Sequence, residues 1–161
     1  RRLLVEQLQD PVFNVLAGLQ GEGATGTLHY EAAWATQGLA VALEESRSDD
    51  LRRGVTTVGP HRDDLDITLS GMPARTQASQ GEQRSLALAL RLGGHQVVAD
   101  AVGVHPVILL DDVFSELDET RSAGLVALLP QCQTLVTSAG QLPKGVDVSQ
   151  VIQIVEGKIQ S

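Results

Sequence analysis

Two adjacent carboxylates, Asp111 and Asp112, follow a short apolar run and are well placed for chemistry. The run, residues 107–110, comes after Pro106 and is too short for a helix of its own, so it predicts a strand buried on both faces. In open α/β sheets, ligands bind outside the carboxyl ends of the strands, and Mg²⁺ takes hard oxygen ligands. Asp111 is therefore the candidate metal ligand and Asp112 the candidate base. Taken alone, these acids could simply cap the next helix.

A second chemical feature is the predicted start of a helix near residue 80. Residues 78–85 lead directly into residues 86–92, a run of strong helix formers. Ser79 and Glu82 satisfy the capping-box rule, and Gly81 leaves the first turn open to close approach. Exposed amides at such a helix start, with the Ser hydroxyl beside them, could bind a phosphate. Because capping boxes are frequent, this stretch alone indicates only a well-capped helix.

The order of these features resembles that of the ABC-type ATPases. Residues 79–84 resemble the signature motif of those proteins, residues 108–112 their Walker B strand, and residues 115–118 their D-loop. Residues 59–65 read Gly-Pro-His-Arg-Asp-Asp-Leu, which makes the pattern more particular than a generic ATPase. Within the superfamily the chain looks most like the RecF family of DNA replication and repair proteins. The match covers about residues 54–137 well and the flanks loosely.

The resemblance implies that two subunits sandwich ATP, with Mg²⁺ as its metal ion. Asp111 would hold Mg²⁺ through water, and Asp112 would orient or deprotonate the attacking water. Many members of the superfamily carry Glu at the position of Asp112. The shorter side chain of aspartate suggests slow ATP hydrolysis, which is typical of a switch and not of a motor. The residues implied to touch ATP in trans are Ser79, Gln80, Gly81 and Glu82, and those implied to touch the opposite subunit are Ser115, Glu116, Leu117 and Asp118.

His61 and Arg62 are possible accessory residues, because the resemblance singles them out. Their position permits a role near the nucleotide or at a subunit contact. It also permits an arginine that only pairs with Asp63 or Asp64, and we favour this second interpretation because exposed ion pairs are common. No metal cluster is predicted, since the histidines lack the ligand spacings of a zinc site.

Ser138 is a further possible accessory residue. It follows the predicted strand 133–137, at the position where the superfamily usually places a histidine that senses the terminal phosphate. Without that imidazole, the sensing role falls on Ser138 or Thr137, or it is lost.

The family implies an ATP-dependent DNA-binding protein of recombinational repair and replication restart. Implied partners are single-stranded DNA, duplex DNA at gaps or junctions, a second copy of the protein in an ATP-dependent homodimer, and the recombination mediator RecR. The full-length protein would be a weak DNA-dependent ATPase of the SOS response, cytoplasmic and associated with the bacterial nucleoid. The alternative is a chromosome-maintenance head of the SMC type, an ATP-gated clamp, although the heptads that would flank such a head do not occur.

Composition sets limits on the chain. Its 161 residues, 42% of them hydrophobic, can bury one sizeable core plus an appendage. The formal net charge of -8 argues against a strongly basic DNA-binding module, so any DNA contact must be local or elsewhere. The single cysteine, Cys132, rules out an internal disulfide framework and fits a reducing cytosol. No apolar run is long enough to span a bilayer, and no membrane partner is expected.

The sequence contains no Gly-x-x-x-x-Gly-Lys-[Ser/Thr], the loop that cradles phosphates in this class. The chain is therefore expected to supply half of a nucleotide site and to be inactive alone. We predict an α/β fold, the C-terminal part of an ABC-type ATPase head of the P-loop NTPases, with a short helix and strand from a second subdomain at the N-terminus. Residues 1–53 would end a helical lever-arm subdomain, and residues 54–161 would form the C-terminal half of the ATPase domain.

Periodicity predicts the elements that position these residues. Pro11 is expected to break an N-terminal helix, and the adjacent Gly93 and Gly94 to mark either a close crossing or a break in a long helix. Trp34 is expected to be a core or interface anchor. The predicted elements are helices over 1–19, 37–53, 81–103 and 119–129, a glycine-rich loop over 18–26, strands over 27–34, 55–58, 65–69, 107–110 and 133–137, a strand over 74–77 that returns on 65–69, and a final hairpin of 151–155 with 158–159.

Overall fold

A computed structural model describes residues 1–21 and 23–160. The chain divides into two compact units, and the division falls between Pro106 and Val107. The mixed helices and strands agree with the predicted α/β class. The first unit contains α1 (Arg2–Gln20), β1 (Gly26–Glu31), α2 (Leu39–Arg53), β2 (Asp64–Leu69), β3 (Met72–Pro73), α3 (Ala74–Gln77) and α4 (Gln80–Val102). The second contains β4 (Ile108–Asp111), a 3-10 helix (Val113–Glu116), α5 (Glu119–Leu128), β5 (Thr134–Thr137), β6 (Gln153–Val155) and β7 (Lys158–Gln160).

The core of the first unit lies between the α1–α4 helix pair and the antiparallel sheet β1-β2-β3. Apolar residues that alternate along β1 and β2 face this core, as predicted, and Leu28 of β1 is paired with Ile67 of β2. β1 and β2 pair across the predicted domain boundary at residues 53 and 54, and that boundary stays a prediction. The buried residues of the core are Val12, Leu16, Leu28, Leu69, Ala74, Leu86 and Ala89.

Helix α1 runs without interruption through Pro11, so the predicted break is wrong. A proline in a helix interior costs about 3 kcal/mol. Val12, Leu16 and Leu19 are at most 1% exposed, and burial of each such side chain contributes roughly 1.5–3 kcal/mol. Packing of this face therefore outweighs the loss of one backbone hydrogen bond. The helix continues to Gln20, past the start of the predicted glycine-rich loop, and Glu22 within that loop lies outside the described residues.

The glycine pair in α4 marks a close helix crossing, one of the two alternatives that the sequence leaves open. α4 is unbroken from Gln80 to Val102. A Cβ atom added at Gly93 would lie 2.7 Å from Cγ2 of Val12, 2.9 Å from its backbone N and 3.0 Å from its Cα. The backbone of α1 therefore occupies the space of a side chain at Gly93. Gly94 has no such neighbour within 4 Å.

Gly93→Ala is expected to lower the thermal unfolding midpoint although alanine is the better helix former. Overpacking against the α1 backbone should cost about 1–3 kcal/mol, more than the roughly 1 kcal/mol that alanine gains in helix propensity. The matched control is Gly94→Ala, which gains the propensity without a clash and should raise the midpoint. Circular dichroism gives the thermal unfolding midpoint of each variant. If the midpoints of Gly93→Ala and Gly94→Ala shift equally and in the same direction, this helix crossing is contradicted.

Two predicted strands are absent from the described structure, for local reasons. Residues 55–58 form no strand, because the carboxylate of Asp50 accepts hydrogen bonds from the backbone N (2.8 Å) and Oγ1 (2.6 Å) of Thr57 and ties the segment to α2. Residues 74–77 form the short helix α3 instead of a strand. Pairing with β2 stops at Pro73, since proline lacks the N–H that would continue the ladder.

The second unit is built on two parallel strands, β4 and β5, in register with Asp111 opposite Thr137. Ile108 and Leu110 are buried, but Leu109 is 73% exposed and its partner Leu135 is 52% exposed. The prediction that the strand at residues 107–110 is buried on both faces is therefore wrong for this chain. The physical reason is that β4 has only β5 beside it among the described strands, and one face of the pair is left uncovered.

Several chain reversals form as predicted. Gly54 ends α2 in the left-handed conformation at φ 70°. The hairpin of β6 and β7 turns at Glu156 and Gly157, both at positive φ, as a two-residue type I′ turn requires. Helix α5 begins at Glu119, as predicted, and its Leu125 is fully buried.

Candidate functional site

The tip of α4 carries the capping box that the sequence predicts. Ser79 is the N-cap residue, and its Oγ accepts a hydrogen bond from the backbone N of Glu82 at 3.3 Å. In return, the Glu82 carboxylate accepts from the backbone N of Ser79 at 2.8 Å. The helix start is thereby fixed at Ser79, with the Ser hydroxyl held at the tip.

The same arrangement leaves donors available at the tip. The amides of Ser79 and Glu82 are bonded within the box, whereas those of Gln80 and Gly81 have no hydrogen-bond partner among the described residues. Ser79 Oγ accepts from Glu82, so its own hydrogen can still be donated. Ser79 and Gln80 are exposed and Gly81 is half-buried. Two amides and a hydroxyl at the positive end of a 23-residue helix suit an anion.

The two acids of the second unit stand at the carboxyl end of β4, as the sequence predicts. Asp111 is the last residue of the strand, is exposed, and accepts a hydrogen bond from Oγ1 of Thr137. Asp112 adopts the left-handed conformation at φ 47°, ψ 26°, which turns the chain out of the strand. Its backbone N donates to the carbonyl O of Thr137 and to Thr137 Oγ1, both at 3.1 Å. The neighbouring strand therefore fixes the carboxylate of Asp111 and the backbone of Asp112.

Thr137 is the residue whose importance sequence reasoning underrates. It enters the sequence interpretation only as a substitute phosphate sensor, yet its hydroxyl binds both the Asp111 carboxylate and the Asp112 amide. Parallel register places the two strand ends side by side, and that is the signal that could have identified it. Ser138 instead closes a local turn, with its Oγ donating to Gly140 O at 3.2 Å and accepting from Gly140 N at 3.1 Å.

The segment that resembles a D-loop is tied to Asp112 at one end and to α5 at the other. Ser115 Oγ donates to Oδ2 of Asp112 at 3.0 Å and to its carbonyl O at 2.8 Å. Asp118 caps α5 by accepting from the backbone N of Arg121 at 2.8 Å, and it also pairs with the Arg121 guanidinium. That backbone hydrogen bond, with the neighbouring charge, holds the pKa of Asp118 below its usual value. Glu116 lies exposed and Leu117 half-buried between these anchors.

The turn at residues 56–62 binds its own backbone through the two accessory candidates. His61 Nε2 lies 3.0 Å from Oγ1 and 3.2 Å from the carbonyl O of Thr56. The Nε of Arg62 donates to the same carbonyl at 3.3 Å, and its backbone N donates to Gly59 O at 2.8 Å. Both side chains are exposed.

The favoured pairing of Arg62 with a neighbouring acid does not form. Asp63 accepts instead from the Tyr30 hydroxyl and, at 2.8 Å, from the Trp34 indole N–H. Asp64 pairs with Arg75 at 3.5 Å. The carboxylate of Asp63 raises the pKa of the Tyr30 hydroxyl, because the hydrogen bond holds the proton on oxygen. Trp34 and Tyr30 thus hold Asp63 through their polar groups, and Tyr30 ties it to β1.

The donor set gives a partial fit to a magnesium site. Among residues 1–21 and 23–160, no group of three or more His, Cys, Asp or Glu side chains could hold a metal ion. Asp111 and Asp112 nevertheless present exposed carboxylate oxygens at a strand end, the hard donors that Mg²⁺ prefers. They could contribute a ligand, directly or through water, to an ion held mainly by other groups. No helix in the described part of the chain is long and apolar enough to cross a membrane.

Comparison with known proteins connects these features to one family. No family model matches the chain. DNA replication and repair protein RecF of Chloroflexus aurantiacus is 42% identical over 149 residues, which cover 85% of this chain and 38% of that protein. RecF of Cutibacterium acnes is 53% identical over 98 residues, 60% of this chain and 25% of that protein. RecF of Clostridium botulinum is 36% identical over 126 residues, 76% of this chain and 35% of that protein.

Solved structures give the same result. The recombination mediator protein RecF-ATPrS of the RecFOR pathway matches 98% of this chain and 44% of its own length, with a TM-score of 0.80 at 28% identity. The SMC head bound to the C-terminal winged helix domain of ScpA matches 86% of this chain with a TM-score of 0.54 at 18% identity, a likeness of fold alone. These matches confirm the predicted class, part of an ABC-type ATPase head. The chain spans less than half the length of each of these proteins.

Proposed function

The chain belongs to the RecF family of DNA replication and repair proteins, and on that premise we propose that it supplies half of an ATP site shared between two copies of the protein. The α4 tip carries the proposal, because it offers the proton of the Ser79 hydroxyl and the amides of Gln80 and Gly81, which have no hydrogen-bond partner among the described residues. In this proposal the tip binds the terminal phosphate of ATP held by the other subunit. Glu82 contributes by fixing Ser79, since a carboxylate would repel the phosphate.

The acids at the end of β4 act on the ATP of their own subunit. Asp112 orients the attacking water and accepts its proton. Thr137 holds the backbone N of Asp112, and Ser115 donates to its carboxylate. Asp111 would contribute a ligand for Mg²⁺, directly or through water. When bound, that ion would neutralise charge on the phosphates. Aspartate, with a side chain one methylene shorter than glutamate, supports slow hydrolysis and a role as a switch.

The segment Ser115–Asp118 contacts the opposite subunit in this arrangement. It connects Asp112 to the first turn of α5. A partner subunit that displaces this segment would therefore also displace Asp112, the proposed base. Dimerisation and catalysis are thereby linked. His61 and Arg62 are not needed for this step, and the phosphate-sensing role passes from Ser138 to Thr137.

At the level of the whole protein, the function proposed is ATP-gated binding of DNA in recombinational repair and replication restart. The names of the relatives, which include a member of the RecFOR pathway, support it. We assign single-stranded DNA and duplex DNA at gaps as substrates, an ATP-dependent homodimer as the active form, and RecR as a protein partner. A weak DNA-dependent ATPase, an SOS role and a cytoplasmic, nucleoid-associated location complete the proposal.

Full-length protein is expected to dimerise and to retain gapped DNA with ATP but not with ADP. Light scattering gives the mass, and fluorescence anisotropy of labelled DNA gives retention. The proposed clamp would close only when the terminal phosphate is present, because that phosphate joins the two subunits. Equal mass and equal DNA affinity with both nucleotides would overturn the proposal.

A further inference from the structure

Two arginines beside the turn at residues 56–62 stand apart from the paired arginines of the chain. Arg62 donates to the carbonyl O of Thr56, and Arg1 donates to the carbonyl O of Pro60. Neither forms an ion pair among the described residues. Four other arginines pair with carboxylates, namely Arg47 with Glu44, Arg52 with Asp49, Arg75 with Asp64 and Arg121 with Asp118. Arg2, Arg53 and Arg91 also form no ion pair among the described residues, so Arg62 is distinguished by its place on this turn. In a chain of net charge -8, the exposed charge of Arg62 without an ion-pair partner among the described residues favours contact with an anion.

Neutral donors hold two acids beside this turn. Asp63, next to Arg62 in sequence, faces the Tyr30 hydroxyl and the Trp34 indole. Asp50 accepts from the Thr57 amide and hydroxyl, bonds that lower its pKa and keep it ionised as a structural anchor. Both carboxylates therefore point at groups that fix the turn. The guanidinium of Arg62, next to Asp63 in sequence, therefore stays exposed and its charge is not neutralised by either carboxylate.

The turn is also ordered before any ligand arrives. Arg62 N bonds to Gly59 O at 2.8 Å, Thr57 is bonded to α2 through Asp50, and Asp63 is bonded to the β1 side of the sheet. Only Nε of the Arg62 guanidinium is used in these contacts, which leaves its two terminal nitrogens to donate. A guanidinium fork matches two phosphate oxygens, and prior ordering reduces the entropy lost on binding.

We propose that the turn Thr56–Arg62 is a contact site for the phosphodiester backbone of DNA, with Arg62 as its principal ligand and His61 beside it. The inference rests on the proposed function, and it assigns a DNA-contact surface within that function. Sites for small nucleotides are concave and bury most of their ligand, whereas these side chains are exposed. An open cationic turn suits an extended polyanion, and it requires no strongly basic domain.

The test is Arg62→Gln in the full-length protein, with Arg47→Gln as the charge-matched control. The side chain of Arg47 is 70% exposed, and its charge is paired with Glu44 at 4.0 Å. DNA affinity is measured by anisotropy with ATP present at several salt concentrations. The Arg62 variant should bind roughly fivefold more weakly, with a salt slope smaller by about 1, as for loss of one phosphate contact. The Arg47 variant should match the parent.

Three further measurements make the result decisive. Arg62→Lys should recover part of the affinity, because it restores the charge without the fork. Binding of a fluorescent ATP analogue and the thermal midpoint should not change in any variant, since the substituted side chains are exposed. If Arg62→Gln binds DNA as tightly as the parent, or if it loses ATP binding as strongly as it loses DNA binding, the inference is overturned and the proposed function is not affected. A parent protein that fails to bind DNA with ATP overturns the proposed function, and this inference with it.

Discussion

Ser79→Arg is expected to abolish ATP-dependent dimerisation of the full-length protein. Ser79 is the N-cap of α4, and its hydroxyl is held at the tip by Glu82. Arginine removes the cap, at a cost of about 1 kcal/mol, and places a long side chain over the amides of Gln80 and Gly81. In the proposed dimer those amides meet the terminal phosphate. The side chain would occupy the space of the partner's nucleotide, so closure fails while each subunit still binds ATP.

Ser79→Thr is the matched control, because threonine keeps both the cap and a hydroxyl. It should dimerise with ATP as the parent does. Light scattering with ATP gives the mass, and retention of gapped DNA should fall together with the dimer in the arginine variant. If Ser79→Arg gives as much dimer as Ser79→Thr, the tip of α4 does not act across the interface.

Asp112→Asn should preserve ATP binding and slow hydrolysis by roughly 10²-fold, the lower range for loss of a positioned base. Asparagine suits the site, since Asp112 lies at φ 47° and asparagine is among the few residues that adopt this conformation readily. The backbone bonds to Thr137 should therefore persist. The substitution removes the charge and the basicity of the side chain and changes little else.

Phosphate release measures the effect, and a fluorescent ATP analogue checks binding. Asp100→Asn is a suitable control, because Asp100 is an exposed acid of α4 whose carboxylate accepts from Gln96. It should turn over at the parental rate. Slowed release in Asp112→Asn should come with a longer-lived dimer on DNA, since hydrolysis ends the closed state. Unchanged turnover would remove Asp112 from the catalytic role.

Local rules were sufficient for much of the fold and for the two halves of the candidate site. The Ser79 and Glu82 pair predicts the start of α4, and both of its hydrogen bonds form. Gly54 predicts the end of α2, and the Glu156-Gly157 pair predicts the last hairpin. Each of these signals lies within a few residues of the structure that it specifies. The position of the acids at the end of β4 follows from the same kind of pattern.

The sequence predictions are wrong where contacts between residues distant in sequence determine the structure. Pro11 stays helical because of packing on α4, about 80 residues away in sequence. The acid nearest to Arg62 bonds to Tyr30 and Trp34, so adjacency in sequence gave the wrong ion pair. Thr137 lies 26 residues from Asp111, and only the strand register brings their side chains together. No rule based on spacing in one element could supply these contacts.

The uncovered face of the β4–β5 pair affects how the polypeptide can be handled. Leu109 and Leu135 lie side by side on it, and Ile154 and Ile159 form a second exposed apolar pair in the final hairpin. Exposed apolar side chains beside unpaired strand edges favour intermolecular β-pairing, although the shortness of these strands limits it. We therefore expect this polypeptide to aggregate when it is produced alone. Production as part of a protein of the length of its RecF relatives should give a more soluble sample.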